Sequence, residues 1–212
     1  MGRLENKVSL VVGGGQSLGQ SIARRFAAEG SKVVIADINQ TAAAEVAEGV
    51  CADGGQAISQ RMDMTIADDV SAAVQETVAT YGSLDVLVCN AAVFGAGKNF
   101  VEISEEEWMN TIRVNLHGPF LCAKAAALQM REQPTGGNIV FISSVSGVVA
   151  NEHQADYNTS KHAVIGLMKC LAQDCRNWGI RANAVCPTGM QDSAMMINHP
   201  LKGSPDIASY AS

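Results

Sequence analysis

The sequence predicts an α/β fold, a doubly wound parallel sheet with helices on both faces, in a single domain spanning residues 1–212. Three observations predict it. Six short segments are nearly continuous apolar runs, the pattern of strands buried on both faces, whereas half-exposed strands would alternate. Between them lie segments whose apolar residues return every three or four positions, as on amphipathic helices. Strands and helices therefore alternate, and that order calls for crossover connections and parallel pairing.

Taken in order, Val8 to Val12 is the first apolar strand and ends in Gly13-Gly14-Gly15, a tight turn. From Ser17 to Glu29, Leu18, Ile22, Ala23 and Phe26 recur at helical spacing, and Gly30 stops the helix. Lys32 to Ala36 is the second strand, after which Asn39 caps a helix running to Ala52. Ala57 to Arg61 is the third strand, and Thr65 opens a helix to Thr80. Leu84 to Cys89 is the fourth strand. Ser104-Glu105-Glu106-Glu107 is a capping box that starts a long helix toward Met130, and Pro119 predicts a kink around Asn115 to Gly118. Asn138 to Ser143 is the fifth strand, a helix carries Tyr157 through Leu171 to Trp178 until Gly179 ends it, and Arg181 to Val185 is the sixth.

Composition bounds the function. Hydrophobic residues at 47% against charged residues at 17% describe a globular chain, and a net charge of -6 without any basic run argues against a nucleic-acid surface. The apolar runs are far short of a membrane span. The six cysteines contain no CxxC pair and no secretory leader precedes them, so reduced thiols in a cytoplasmic protein are expected. Neither they nor the four histidines have metal-ligand spacing, and no metal is assigned.

Two stretches carry chemistry. Glycine turns between a strand and a helix bind phosphate, because bare backbone amides and the helix dipole face the ligand. Here Gly13, Gly14, Gly15 and Gly19 form such a turn, and Asp37 stands at the tip of the next strand, 18 residues beyond Gly19. A carboxylate there accepts hydrogen bonds from both ribose hydroxyls of NAD and repels the 2′-phosphate of NADP. Ile38 and Gln16 occupy places where an Arg or Lys would welcome that phosphate, so NAD is the expected cofactor. The second stretch is Tyr157-Asn158-Thr159-Ser160-Lys161, which puts a phenol and an ammonium on one helix face. Either the pair is an ordinary feature of an amphipathic helix, or the cation favours the phenolate and makes Tyr157 a proton carrier.

At this point the chain resembles the short-chain dehydrogenase/reductase family over nearly its whole length. The family's Thr-Gly-xxx-Gly-x-Gly falls on Val12 to Gly19, with Val12 for the Thr and Ser17 for the middle Gly, a replacement that suits a negative φ at Ser17. Asp63-Met64 matches an Asp-Val that contacts adenine, and Asn90-Ala91-Ala92 matches Asn-Ala-Gly after the fourth strand. Ile142-Ser143-Ser144 sets Ser144 13 residues before Tyr157, and Asn115 matches the asparagine at the helix kink.

The resemblance implies a Rossmann-like strand order 3-2-1-4-5-6 and the catalytic set Asn115, Ser144, Tyr157 and Lys161. It implies cofactor contacts from Gly13, Gln16, Ser17, Leu18, Gly19, Asp37, Ile38, Asp63, Met64, Asn90, Ala91 and Ala92. Pro187, Thr188 and Met190 would form a cofactor wall after the sixth strand. Tyr157 would be the general acid/base, Lys161 would lower its pKa, Ser144 would hold the reacting oxygen, and Asn115 would order a water relaying protons to Lys161. Val93, Phe94, Ser146 and the segment from Met190 to His199 would line the substrate pocket. Glu152, His153 and Gln154 either bond a polyhydroxy substrate or lie in a solvated loop.

Family members usually continue through a substrate lid and a seventh parallel strand. Residues from about 188 to 212 resemble a shortened form of that region, with the strand absent. The implied function is NAD-dependent interconversion of a secondary alcohol and a ketone, by a dimer or tetramer of this chain acting on a small molecule. The alternatives are a non-catalytic NAD-binding sensor or scaffold and, against the short chain, an epimerase or dehydratase.

Overall fold

The computed structural model describes residues 2–188. Strands β1 (Val8–Val12), β2 (Lys32–Asp37), β3 (Gln56–Arg61), β4 (Val86–Cys89), β5 (Gly137–Ile142) and β6 (Ile180–Val185) form one sheet. Every neighbouring pair is parallel and the order is β3-β2-β1-β4-β5-β6, as expected. The order reverses between β1 and β4, so the carboxyl ends of those two strands open a crevice, the place where such sheets bind ligands.

Alternate residues of the strands feed two cores. Leu10, Val12, Val34, Leu87, Ile139 and Phe141 pack under α3 (Ala67–Tyr81), α5 (Gly118–Arg131) and α6 (Ala155–Asp174). Val11, Val33, Ile35, Val86 and Val88 pack under α1 (Ser17–Ala28) and α2 (Gln40–Ala52). The central strands β1, β2 and β4 are buried on both faces and apolar at consecutive positions, whereas the edge strand β6 alternates between buried and exposed residues and β3, at the other edge, is only partly buried and mostly polar.

Several boundaries differ from expectation by a residue or a few, among them the Tyr157 helix, which ends at Asp174 with a separate 3-10 turn at Arg176–Trp178, and three differ for evident local reasons. Thr65 does not open α3; its amide and hydroxyl both donate to Asp63 Oδ1, at 2.9 and 2.7 Å, closing an Asx turn that delays the helix to Ala67. The fourth strand begins at Val86, because the Leu84 amide donates to Gln133 Oε1 at 2.9 Å instead of joining the sheet. The long helix is two helices, α4 (Glu105–Ile112) and α5, joined by a π-helical turn at Arg113–His117. Pro119 then lies in the first turn of α5, directly after the π turn, where its missing amide takes one bond out of the continuing helical ladder. The kink inferred from Pro119 is this π turn.

Candidate active site

The glycine turn leaves β1 and is tied to both neighbouring strands. Gly13 and Gly14 amides donate to Ala36 O at 2.7 and 3.2 Å, and Asn90 Nδ2 donates to Gly13 O at 2.8 Å. Val12 supplies no hydroxyl here, so Asn90 provides a side-chain hydrogen bond that steadies the turn. Ser17 adopts φ +49°, not the negative φ that its substitution for Gly suits, at a cost of about 1 kcal/mol.

Gln16 makes no capping hydrogen bond from its side chain and no acid lies in the first turn of α1, whereas Asn39 caps α2 and Ser104 closes a capping box on α4. A helix start with no capping side chain and no acid in its first turn suits a bound anion. Beside it the Asp37 carboxylate accepts the Gly15 amide and the Asn39 amide, each at 3.0 Å, and is held at the rim of the turn. An uncapped helix start next to an oriented carboxylate fits the pyrophosphate and ribose of a dinucleotide.

Other expected cofactor residues surround this groove unevenly. Ile38 is exposed beside Asp37, while Ala91 and Ala92 are half-buried after β4. Asp63 keeps its carboxyl below the usual range because the Thr65 amide and hydroxyl donate to it. Met64 buries its side chain in the core, packed against Gly118 at the start of α5. Pro187 O accepts the Val145 amide at 2.9 Å, which joins the segment after β6 to the Ser144 loop, and Thr188 is exposed. Met190 and the rest of the expected lid lie outside the described residues.

Tyr157 and Lys161 are both buried on α6. Burial pushes the phenol above its ordinary value, and a hydrogen bond with Ser144 works in the opposite direction. Ser144 Oγ also accepts the Ser146 amide at 3.1 Å, which fixes the hydroxyl at the end of β5. Burial lowers the Lys161 ammonium from 10.5 to about 8. Its Nζ donates to Ile142 O at 2.9 Å and stands 5.6 Å from the Tyr157 ring centroid. In this geometry the Lys161 ammonium faces the ring and the Ile142 carbonyl, and burial is the larger influence on the phenol. Asn115 occupies the π turn, and its amide accepts from Val93 N and donates to Val93 O, both at 2.8 Å, and to Ser160 Oγ at 3.1 Å. Ser146, expected in the pocket wall, is buried and accepts from Asn151 Nδ2 at 2.8 Å.

Sequence reasoning missed the residues that hold this set. Ser143 Oγ donates to Lys161 O at 2.9 Å, tying the end of β5 to α6, and Ser160 Oγ donates to Tyr157 O at 2.7 Å within α6. Small hydroxyl residues around Ser144 and Lys161 are the signal, but they read as ordinary caps. Among the described residues no cluster of three His, Cys, Asp or Glu side chains could hold a metal ion, and no helix is long and apolar enough to cross a membrane.

The buried lysine predicts a pH signature. Its folded pKa lies below the unfolded one, so between about 8 and 10.5 the unfolded chain binds more protons and this part of the stability rises with pH. Below about 8 the full burial cost is present. Urea unfolding should therefore show Lys161→Met losing about 2 kcal/mol of its stability relative to the parent between pH 7 and about pH 9.5. A constant difference would contradict the burial of a titrating ammonium.

The sequence model of the short chain dehydrogenases matches residues 7–202. A 3beta-hydroxysteroid dehydrogenase of Mediterraneibacter gnavus is 39% identical over 89% of this chain and 68% of its own length. A 2,5-dichloro-2,5-cyclohexadiene-1,4-diol dehydrogenase of Sphingobium indicum is 40% identical over 88% of this chain and 74% of its own. The crystal structure of gox2181 superposes with a TM-score of 0.91 at 31% identity, covering 98% of this chain and 80% of that one. With the sheet order, the glycine turn and the Tyr157 and Lys161 helix already in place, these matches establish that the chain belongs to the short-chain dehydrogenase/reductase family.

Proposed function

We propose that this protein is an NAD-dependent oxidoreductase interconverting a secondary alcohol and a ketone. The observation that carries the reading is the buried phenol of Tyr157 hydrogen-bonded to Ser144, with Lys161 beside it, at the edge of the crevice that holds the uncapped α1 and Asp37. A bound nicotinamide supplies the hydride acceptor for oxidation and the donor for reduction.

The protein's own groups do the rest. Ser144 donates to the substrate oxygen as charge develops on it, and Tyr157 takes or gives the proton at that oxygen. Lys161, held by Ile142 O, contributes positive charge near the phenol and would hold the nicotinamide ribose hydroxyls. Asn115 and its π turn lie next to Ser160, one residue from Lys161, where a water relaying protons to the lysine is to be ordered. The named relatives act on a hydroxysteroid and on a cyclohexadiene diol, which supports a cyclic secondary alcohol as the substrate. Exposed Met109, Phe120 and Leu128 on α4 and α5 support assembly as a homo-oligomer, dimer or tetramer, of a cytoplasmic enzyme.

Turnover is read by nicotinamide absorbance with a panel of cyclic and steroid alcohols, polyols and the matching ketones. Reaction with NAD and at least one secondary alcohol is expected; silence across the panel favours a non-catalytic NAD-binding role. For the cofactor, NADH should bind the parent more tightly than NADPH. Asp37→Ala should erase that preference, since hydrogen bonds to a charged group contribute about 1.5–3 kcal/mol, roughly 10- to 100-fold in affinity. Equal affinities in the unmodified protein would contradict the role given to Asp37.

A further inference from the structure

Asp156 immediately precedes Tyr157 and exposes no surface. A carboxylate withdrawn from water persists where donors satisfy it. Three donors reach this one from three segments: Thr111 Oγ1 of α4 lies 2.8 Å from Oδ2, the Ala96 amide 2.9 Å from Oδ2, and the Tyr157 amide 2.9 Å from Oδ1. The chain after β4 is held a second time, because Asn115 bonds both backbone groups of Val93. Phe94 stands between these two fixed points. Its ring stacks on Tyr157 with centroids 5.1 Å apart and planes 23° apart. Gly95 has φ +97°, and a Cβ there would lie 2.7 Å from both carboxylate oxygens, so the loop closes on Asp156 only with glycine at this place.

We propose that Asp156 is a positioning residue for the reaction, acting through Phe94: by drawing Ala96 onto α6 it presses the Phe94 ring against Tyr157 and keeps the phenol aimed at Ser144. This inference rests on Tyr157 being the proton carrier. Proton transfer demands heavy-atom placement within hydrogen-bond reach, and a ring free to tilt loses that placement without any loss of cofactor binding. Thr111 supports the same clamp from α4, and its hydroxyl also lies 3.1 Å from Glu107 O.

The test is a set of variants assayed with whichever alcohol the substrate panel identifies. Asp156→Asn keeps the volume but turns one accepting oxygen into a donor that meets a donor already there. Its kcat should fall roughly 10- to 100-fold while the NADH dissociation constant stays within about twofold. Phe94→Ala should show a similar fall, and Asp156→Asn/Phe94→Ala should be no slower than Phe94→Ala alone, because Asp156 then has no ring to place. Thr111→Val is a gentler change that guards against failure of Asp156→Asn to fold. It should lower kcat about threefold, and not at all in the Phe94→Ala background. Additive losses, or an unchanged kcat in Thr111→Val, would overturn the clamp and leave Asp156 a structural residue. An inactive Tyr157→Phe with parental kcat in these variants rejects the clamp alone, whereas an active Tyr157→Phe rejects the proton-carrier reading beneath it.

Discussion

Tyr157→Phe is expected to lower turnover by about 10³-fold or more while leaving NADH binding nearly intact, since a positioned proton carrier contributes roughly 10²–10⁴-fold. The substitution removes one oxygen and nothing else. The stack on Phe94 is made by the ring, which phenylalanine keeps, and the backbone partners at Tyr157 N and O do not depend on the hydroxyl. Loss of the fold is therefore not the expected cause of inactivity. The raised phenol pKa adds a direction: Tyr157 carries its proton at neutral pH, ready for donation to an alkoxide in ketone reduction. Alcohol oxidation needs the deprotonated form, so its kcat/KM should climb with pH. Steady-state rates in both directions, with a fluorescence titration of NADH, check both statements, and full activity in the variant would end the mechanism.

Gly19→Ala should be the most damaging single methyl in the crevice. A Cβ built at Gly19 falls 1.9 Å from Gly13 O, 2.8 Å from Gly13 C and 2.7 Å from Asn90 Nδ2. Two of these are backbone atoms, and Gly13 is itself fixed by Ala36 O and Asn90, so neither wall can retreat cheaply. A destabilisation of about 2–3 kcal/mol is expected from overpacking. Loss of NADH affinity should accompany it, because α1 must back away from the turn whose amides receive the phosphates. Gly54→Ala is the control: it has φ +85° with nothing within 4 Å, so it pays the conformational cost of about 1 kcal/mol without a clash. Urea midpoints that rank the two variants equally would show that close packing at Gly19 is not the constraint.

Much of the architecture was readable because burial on both faces leaves few choices. A strand such as Val8–Val12 can be apolar throughout only inside a covered sheet, and parallel order follows from alternation with helices. What escaped depended on contacts between distant segments. Thr65 looks like a helix cap until Asp63 claims its amide and hydroxyl. Asp156 looks like a favourable acid in a first turn, and only the fold brings Thr111 and Ala96 to it. The four-residue spacing put Tyr157 and Lys161 together correctly, but it could not say that Nζ turns to Ile142 O or that Phe94 covers the phenol. Pairing was local and legible; solvation was neither.

The π turn at Arg113–His117 gives the long α4–α5 segment one residue more than a regular helix of the same path would need. Removing any one of those five residues would let the turn close as regular α-helix with the two flanking helices in place, yet residues inside the turn would shift around the helix by up to about 100°. Asn115 would swing off Val93 and Ser160, and with it one of the two anchors of the Phe94 loop. The surplus residue is thus a register mark: this stretch tolerates exchange of side chains far more readily than any change in its length.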